Sequence, residues 1–249
     1  MPDPYYADEQ VSLYHGDMRE ILPELALQAD LIVTDPPYGD TSHTWDRWPD
    51  HWPTIAAQAT SSMWCFGSMR MYLDRAREFG AWKLSQDVIW EKHNASGPDA
   101  DRFRRIHEHA LHWYRGPWRD THHDPQRITT GVIERGRIIN NGAKAIGQRG
   151  TYSSNGWTDN GTRLAASVIR ARSMHRNGGI HPTEKPVGIL DPLIRYGCPT
   201  GGLVLDPFAG SGSTLDASRQ AGRRAIGIEA DERYCEAAAR RLSALTLPA

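Results

Sequence analysis

Asp35, Pro36, Pro37 and Tyr38 place a carboxylate, a stiff turn and an aromatic ring within four residues. Paired prolines cannot continue a strand ladder or enter a helix interior, so the backbone here must leave the preceding element in a restricted, extended turn. A flat heteroaromatic amine suits this set. Its ring would lie against Tyr38, one exocyclic N–H would reach the Asp35 carboxylate, and the other would reach a carbonyl fixed by the prolines. A turn after a buried strand, with Asp35 as a turn former, has the same composition, so these residues alone leave both readings open.

A second stretch carries different chemistry. Asp206 closes an apolar run, and Pro207-Phe208-Ala209-Gly210-Ser211-Gly212-Ser213-Thr214 follows as a glycine-rich turn before a helix-spaced segment, with Glu229 ending a further apolar run 17 residues after Gly212. Glycines let the backbone approach a ligand closely, and Glu229 can accept both hydroxyls of a ribose. A dinucleotide fingerprint would need glycine at Leu215, and Ser213 and Thr214 read as caps of the helix. The spacing therefore favours a nucleoside cofactor without a diphosphate over NAD.

Other candidates are single residues. Asp17 stands at a strand-to-helix junction, as a helix N-cap or a ligand contact. Thr183 and Lys185 precede a helix opened by Pro186 and offer a hydroxyl and a cation to an anion; a turn with an N-cap is the alternative. His107, His109 and His112 fall in an alternating stretch that splits them between two faces, and no metal is expected. Cys65, Cys198 and Cys235 lie far apart without CxxC spacing and read as reduced structural thiols.

The elements that must position these groups alternate between strand and helix. Ala29–Val33 reads as a buried strand delivering Asp35. Val11–Tyr14 reads as a strand running into His15-Gly16-Asp17, and Met18–Leu27 has helical spacing. Ser62–Gly67 is a compact apolar run before a helical stretch from Met69 to Phe79; Asp87–Trp90 and His109–Tyr114 read as strands. The segment from Gly39 to Pro49 reads as a loop, whose Trp45 and Trp48 either meet a bound base or nucleic acid or pack the loop down. From Gly116 to Gly179 the pattern dissolves, with only Leu164–Ala171 faintly helical. Val187, Leu190, Leu193 and Ile194 then mark a helix, and Gly202–Asp206, Leu215–Ala221, Arg224–Glu229 and Asp231–Leu245 form a βαβα unit.

The 249 residues suffice for one α/β domain with an insertion. No run is apolar for the ~20 residues of a membrane span, and the opening residues lack a signal pattern, so a cytoplasmic protein is expected. Net charge is −1, but residues 1–101 hold 7 Lys/Arg against 17 Asp/Glu, residues 102–180 hold 14 against 5, and residues 181–249 hold 8 of each. The middle stretch carries Arg135, Arg137, Lys144, Arg149, Arg163, Arg170, Arg172 and Arg176, with Tyr152 and Trp157 among them. Such a mixture fits contact with phosphates and bases, or else a solvated basic surface.

Together, His15-Gly16-Asp17, Asp35-Pro36-Pro37-Tyr38, His181-Pro182-Thr183-Glu184-Lys185-Pro186, Phe208–Thr214 and Gly227-Ile228-Glu229 resemble the S-adenosylmethionine-dependent DNA methyltransferases that modify exocyclic amino groups. The order is the permuted one, with the catalytic motif ahead of the cofactor motif. The resemblance implies a Rossmann-like, doubly wound, mostly parallel sheet of about seven strands with one antiparallel strand. It implies a catalytic half at 1–115, a basic target-recognition insertion at 116–179 and a cofactor half at 180–249. By the same resemblance, Asp35, Pro36, Pro37 and Tyr38 hold and stack a flipped base. Asp17, Thr183, Lys185, Asp206, Phe208, Ala209, the Gly210-Ser211-Gly212-Ser213-Thr214 turn and Glu229 hold the cofactor. Double-stranded DNA is the implied partner, and a homodimer is compatible with the group. Asp35 at the first motif position resembles the adenine-N6 members; cytosine-N4 transfer and RNA amino-methylation are the alternatives. No Pro-Cys turn is present, which disfavours carbon-5 cytosine chemistry.

Overall fold

The computed structural model describes residues 2–40, 46–96, 101–129, 145–147, 150–152, 161–172 and 184–244. Its chain divides into two compact units, one of Met1–Asp124 with Ser167–Ala249, the other of Pro125–Ala166.

The larger unit is built on one sheet. In chain order its strands are β1 (Tyr6–Ala7), β2 (Val11–His15), β3 (Leu31–Thr34), β4 (Ser62–Gly67), β5 (Lys83–Ser96) and β6 (Arg105–Tyr114). The smaller unit contributes β7 (Arg127–Thr129), β8 (Ala145–Gly147), β9 (Gly150–Tyr152) and β10 (Thr162–Leu164). The larger unit resumes with β11 (Val168–Arg170), β12 (Leu203–Asp206) and β13 (Arg224–Glu229). The order across the large sheet is β1-β2-β13-β12-β3-β4-β6-β5-β11. The five strands from β2 to β4 run parallel; β6 is antiparallel to both β4 and β5. The expected seven-stranded body with one reversed member is thus present, and short β1 and β11 extend its two edges.

Helices α1 (Met18–Leu25), α2 (Trp52–Ala59), α3 (Met69–Asp74), α4 (Val187–Gly197), α5 (Ser213–Gln220) and α6 (Glu232–Ala244) cover the sheet. β3 shows why both faces need covering: all four of its residues are buried. Successive side chains point to opposite faces, so Ile32 joins Met18, Leu22, Trp52 and Met63 in one core. Leu31 and Val33 join Trp64, Phe66, Ile189 and Leu190 in another. A third core packs Leu13, Leu215 and Leu242 between α5, α6 and the sheet. Among the described residues no helix is long and apolar enough to cross a membrane.

Three local expectations need correction. Leu164–Ala171 is not helical; β10 pairs antiparallel with β7 and β11 pairs parallel with β5. The β-branched Val168 and Ile169 suit a pleated edge, and the Trp90 indole N–H donates to the Ala171 carbonyl at 2.9 Å, which holds the chain extended there. The late helix starts at Ser213, and its cap is Gly212 at φ +78°, with no side-chain cap from Ser213 or Thr214. The Met69–Phe79 stretch is also divided, α3 giving way to a 3₁₀ turn over Ala76–Phe79.

Candidate active site

Parallel pairing of β3 with β12, Leu31 opposite Val204 and Ile32 opposite Leu205, brings the carboxyl ends of the two strands side by side. The Thr34 hydroxyl donates to Asp206 Oδ1 at 2.8 Å, bridging residues 172 positions apart. Past this seam the Asp35–Tyr38 turn and the glycine-rich turn open onto one cavity of 690 Å³. Strand carboxyl ends at the point where the strand order reverses are where open α/β sheets place ligands.

Asp35 is held from two sides. The Tyr38 hydroxyl donates to its Oδ1 at 2.5 Å, and the Lys185 ammonium pairs with its Oδ2. Tyr38 is half-buried, and desolvation followed by the Asp35 charge pushes its pKa well above the usual tyrosine value, so the hydroxyl stays a donor. Lys185 also faces Glu108 Oε2 at 3.3 Å. The ammonium expected to meet an anionic end of the cofactor is therefore committed to two carboxylates. Thr183, the other member of that expectation, lies outside the described residues.

The opposite wall is the glycine-rich turn. Gly210 adopts φ +51°, and a side chain built there would meet nothing within 4 Å, so its hydrogen leaves open space in the cavity. Glu229 Oε2 accepts the Gly210 N–H at 2.7 Å and its Oε1 accepts the Asp231 N–H at 2.8 Å, which aims the carboxylate and ties β13 to the turn. Burial raises the Glu229 pKa, against those two N–H groups. Phe208 sets its ring edge-on to Trp52, with centroids 5.4 Å apart. Asp206, Ala209, Ser211, Ser213 and Thr214 complete this side, while Gly212 caps α5 outside the lining. Asp17 lines the cavity as well, yet it also acts as the N-cap of α1, accepting the Arg19 N–H at 2.8 Å and the Arg19 guanidinium.

Some members of the site were not anticipated. Arg241 of α6 donates to the Ser211 carbonyl at 3.0 Å and to Ser213 Oγ at 2.9 Å, and it pairs with buried Glu184, bracing the turn from behind. Glu108 on β6 is largely buried between Lys185 and Lys92. A lone acid in a strand with three histidines was the available signal for Glu108; the histidines obscured it. His112 instead packs in the core against Trp64 and Ser62, and no group of three metal-capable side chains occurs among the described residues. Trp48 is packed down: buried, with its N–H on Glu78 at 2.8 Å. Trp45 lies outside the described residues. Of the basic residues singled out, Arg163, Arg170 and Arg172 are described and exposed, Arg170 pairing with Glu91. Arg135, Arg137, Lys144, Arg149 and Arg176 lie outside the described residues.

Residues 29–240 match the family model of the N6/N4 DNA methylases. The chain is 28% identical over 262 residues to the Type II methyltransferase M.ScaI of Streptomyces caespitosus, covering 97% of this chain and 84% of that protein. It is 25% identical over 274 residues to the Type II methyltransferase M2.DpnII of Streptococcus pneumoniae, covering 98% and 94%. Among solved structures, M1.HpyAVI in complex with SAM superposes with a TM-score of 0.63 at 23% identity, covering 93% of this chain and 99% of that one. The cytosine-N4-specific PvuII DNA methyltransferase gives 0.63 at 17% identity, covering 96% and 88%. A Rossmann-like sheet, the two converging turns and a family match spanning most of the chain lead to one conclusion: this protein belongs to the N6/N4 DNA methylase family.

Proposed function

We propose that this chain methylates the N6 amino group of adenine in double-stranded DNA, on a base turned out of the helix into the 690 Å³ cavity. The observation that carries the reading is that Asp35 and Gly210, from opposite halves of the sequence, line that same cavity. Its volume falls within the range of about 300–1,000 Å³ usual for small-ligand sites. The donor set also fits the cofactor. Glu229 and Asp17 offer carboxylates for ribose and adenine, Phe208 an apolar face, and Gly210 a wall without a side chain. Asp206, Ala209, Ser211, Ser213 and Thr214 would line the remainder, Gly212 would set the turn, and Thr183 would add a hydroxyl. Bound S-adenosylmethionine would supply an electrophilic methyl on its sulfonium.

The chain's own residues would prepare the nucleophile. An aromatic amine is weak because its lone pair is delocalised into the ring. Asp35, accepting one N–H, and the Pro36 carbonyl, accepting the other, would draw the nitrogen toward tetrahedral geometry and stabilise the positive charge that develops there. Pro37 would stiffen this turn. Tyr38, anchored through its hydroxyl to Asp35, would present its ring to the base. Arg163, Arg170 and Arg172, with Arg135, Arg137, Lys144 and Arg149, would engage phosphates and target bases from the basic middle stretch. The cytoplasm, where DNA and methyl donor meet, is the proposed location.

Asp35→Ala is expected to lower methyl transfer to unmodified plasmid DNA by about 100- to 1,000-fold, the loss typical of a central electrostatic group. S-adenosylmethionine affinity by isothermal titration should change by less than about threefold, since this is a loss of transition-state binding only. Wild-type turnover in that variant would remove Asp35 from the mechanism. Digestion of methylated DNA to nucleosides and mass spectrometry decides the base: N6-methyl-2′-deoxyadenosine is expected, and N4-methyl-2′-deoxycytidine would replace the adenine reading.

A further inference from the structure

Behind Asp35 four charges alternate in sign. Asp35 pairs with Lys185, Lys185 faces Glu108 at 3.3 Å, and Glu108 pairs with Lys92. The Lys185 side chain is only 6% exposed and Glu108 only 14%, and the ammonium sits 5.1 Å from the Phe66 ring centroid and 5.9 Å from that of Trp90. Register explains the placement. Trp90 of β5 lies opposite Glu108 of β6, so Lys92 emerges two residues along β5 beside the carboxylate. Burying such groups strips them of water at a large cost, and well-packed apolar residues often serve stability better. The arrangement therefore calls for a use other than holding the fold together.

That use follows from what Lys185 does to Asp35. An ammonium paired with a single carboxylate neutralises it and weakens it as an acceptor; an ammonium shared between two carboxylates is drawn partly away. Burial works against the Glu108 charge, but Lys185 and Lys92 outweigh it and hold its pKa at about 2, so Glu108 is an anion throughout the working pH range. We propose that Glu108, backed by Lys92, is a positioning residue for methyl transfer: it fixes Lys185 on Asp35 Oδ2 and keeps Asp35 oriented and incompletely neutralised when the amine arrives. With Glu108 neutral, Lys92 and Lys185 leave an excess positive charge behind Asp35, which opposes the positive charge growing on the amine nitrogen. This inference rests on Asp35 as the amine's acceptor, the reading given above.

The test uses the full chain, tritiated S-adenosylmethionine and plasmid DNA from a methylation-deficient host, with single-turnover rates and cofactor affinity measured together. Glu108→Gln is expected to slow transfer on the order of 100-fold, the effect of misplacing a reacting group by about an ångström, with cofactor affinity changed less than about twofold. Lys92→Met in the Glu108→Gln background should cause no further loss and should recover part of the rate, because it removes one of the two positive charges left behind Asp35. A Glu108→Gln rate equal to wild type, a parallel fall in rate and cofactor affinity, or multiplying losses in the double variant would each overturn the proposal. Should Glu108→Gln fail to fold, Lys92→Met alone decides: slowed transfer with intact affinity supports the proposal, and a wild-type rate overturns it. Asp35→Ala measured alongside separates the two levels. An active Asp35→Ala removes the underlying reading, whereas an inactive Asp35→Ala beside a fully active Glu108→Gln removes only Glu108.

Discussion

Burial pushes the Asp206 carboxyl up to about 6, outweighing hydrogen bonds from Thr214, Thr34 and the Phe208 N–H that favour the anion. For an acid with a raised folded-state pKa, the folded protein holds more protons than the unfolded chain between the two pKa values, so stability falls as pH rises through that window. Ionised Asp206 at pH 7.5 thus costs the fold at most about 3 kcal/mol. Asp206→Asn keeps an oxygen that can accept from Thr34 and Phe208. It should raise the urea midpoint at pH 7.5, with the gain shrinking toward pH 4; an equal gain at both pH values would exclude ionisation as the cause. Asp206 was legible in the sequence because it ends an apolar run before the glycine-rich turn. Glu108 and Arg241 were not, since each acts on the site through another side chain and neither belongs to a contiguous pattern. Asp17 shows a different limit: as an N-cap it satisfies a local rule completely, and only the cavity adds a second role.

At the scale of elements, α5 approaches β13 closely enough that Gly227 is required. A Cβ there would stand 2.9 Å from Ala209 Cβ and 2.7 Å from Leu215 Cδ1. Leu215 can turn aside, but Ala209 belongs to the rigid turn that lines the cavity. Gly227→Ala should therefore cost about 1–3 kcal/mol, as overpacking does, and weaken S-adenosylmethionine binding. Unchanged unfolding and unchanged affinity would show that the turn yields freely. Strongly periodic elements such as β2, β3, β12, β13 and α4 were readable from apolar spacing alone. The α2 helix, Trp52-Pro53-Thr54-Ile55-Ala56-Ala57-Gln58-Ala59, was not, because its proline and small residues give no clean stripe while Trp52, Ala56 and Ala59 are buried. The Leu164–Ala171 stretch misled in the opposite sense: its spacing looked helical, but extended pairing at 162–164 and 168–170 satisfies its backbone and its β-branched residues.

At the scale of the whole molecule, the charge division between an acidic first stretch and a basic middle one predicts salt-sensitive duplex binding. Replacing Arg163, Arg170 and Arg172 together by Gln should weaken binding evenly across DNA sequences and reduce the slope of log affinity against log salt by about 3. Filter binding from 50 to 300 mM salt, on the order of the range over which phosphate contacts are resolved, checks this. An unchanged slope would leave those arginines as solvated surface. The seam between β3 and β12 bears on synthesis at the ribosome. A nascent chain that has emerged through β6 holds β3 with one long side paired and the other bare, because β12 is encoded some 170 codons later. During that delay β3, with water-averse Leu31, Ile32 and Val33, offers open backbone groups to any passing strand, an exposed edge that closes only when Leu203 to Asp206 arrive.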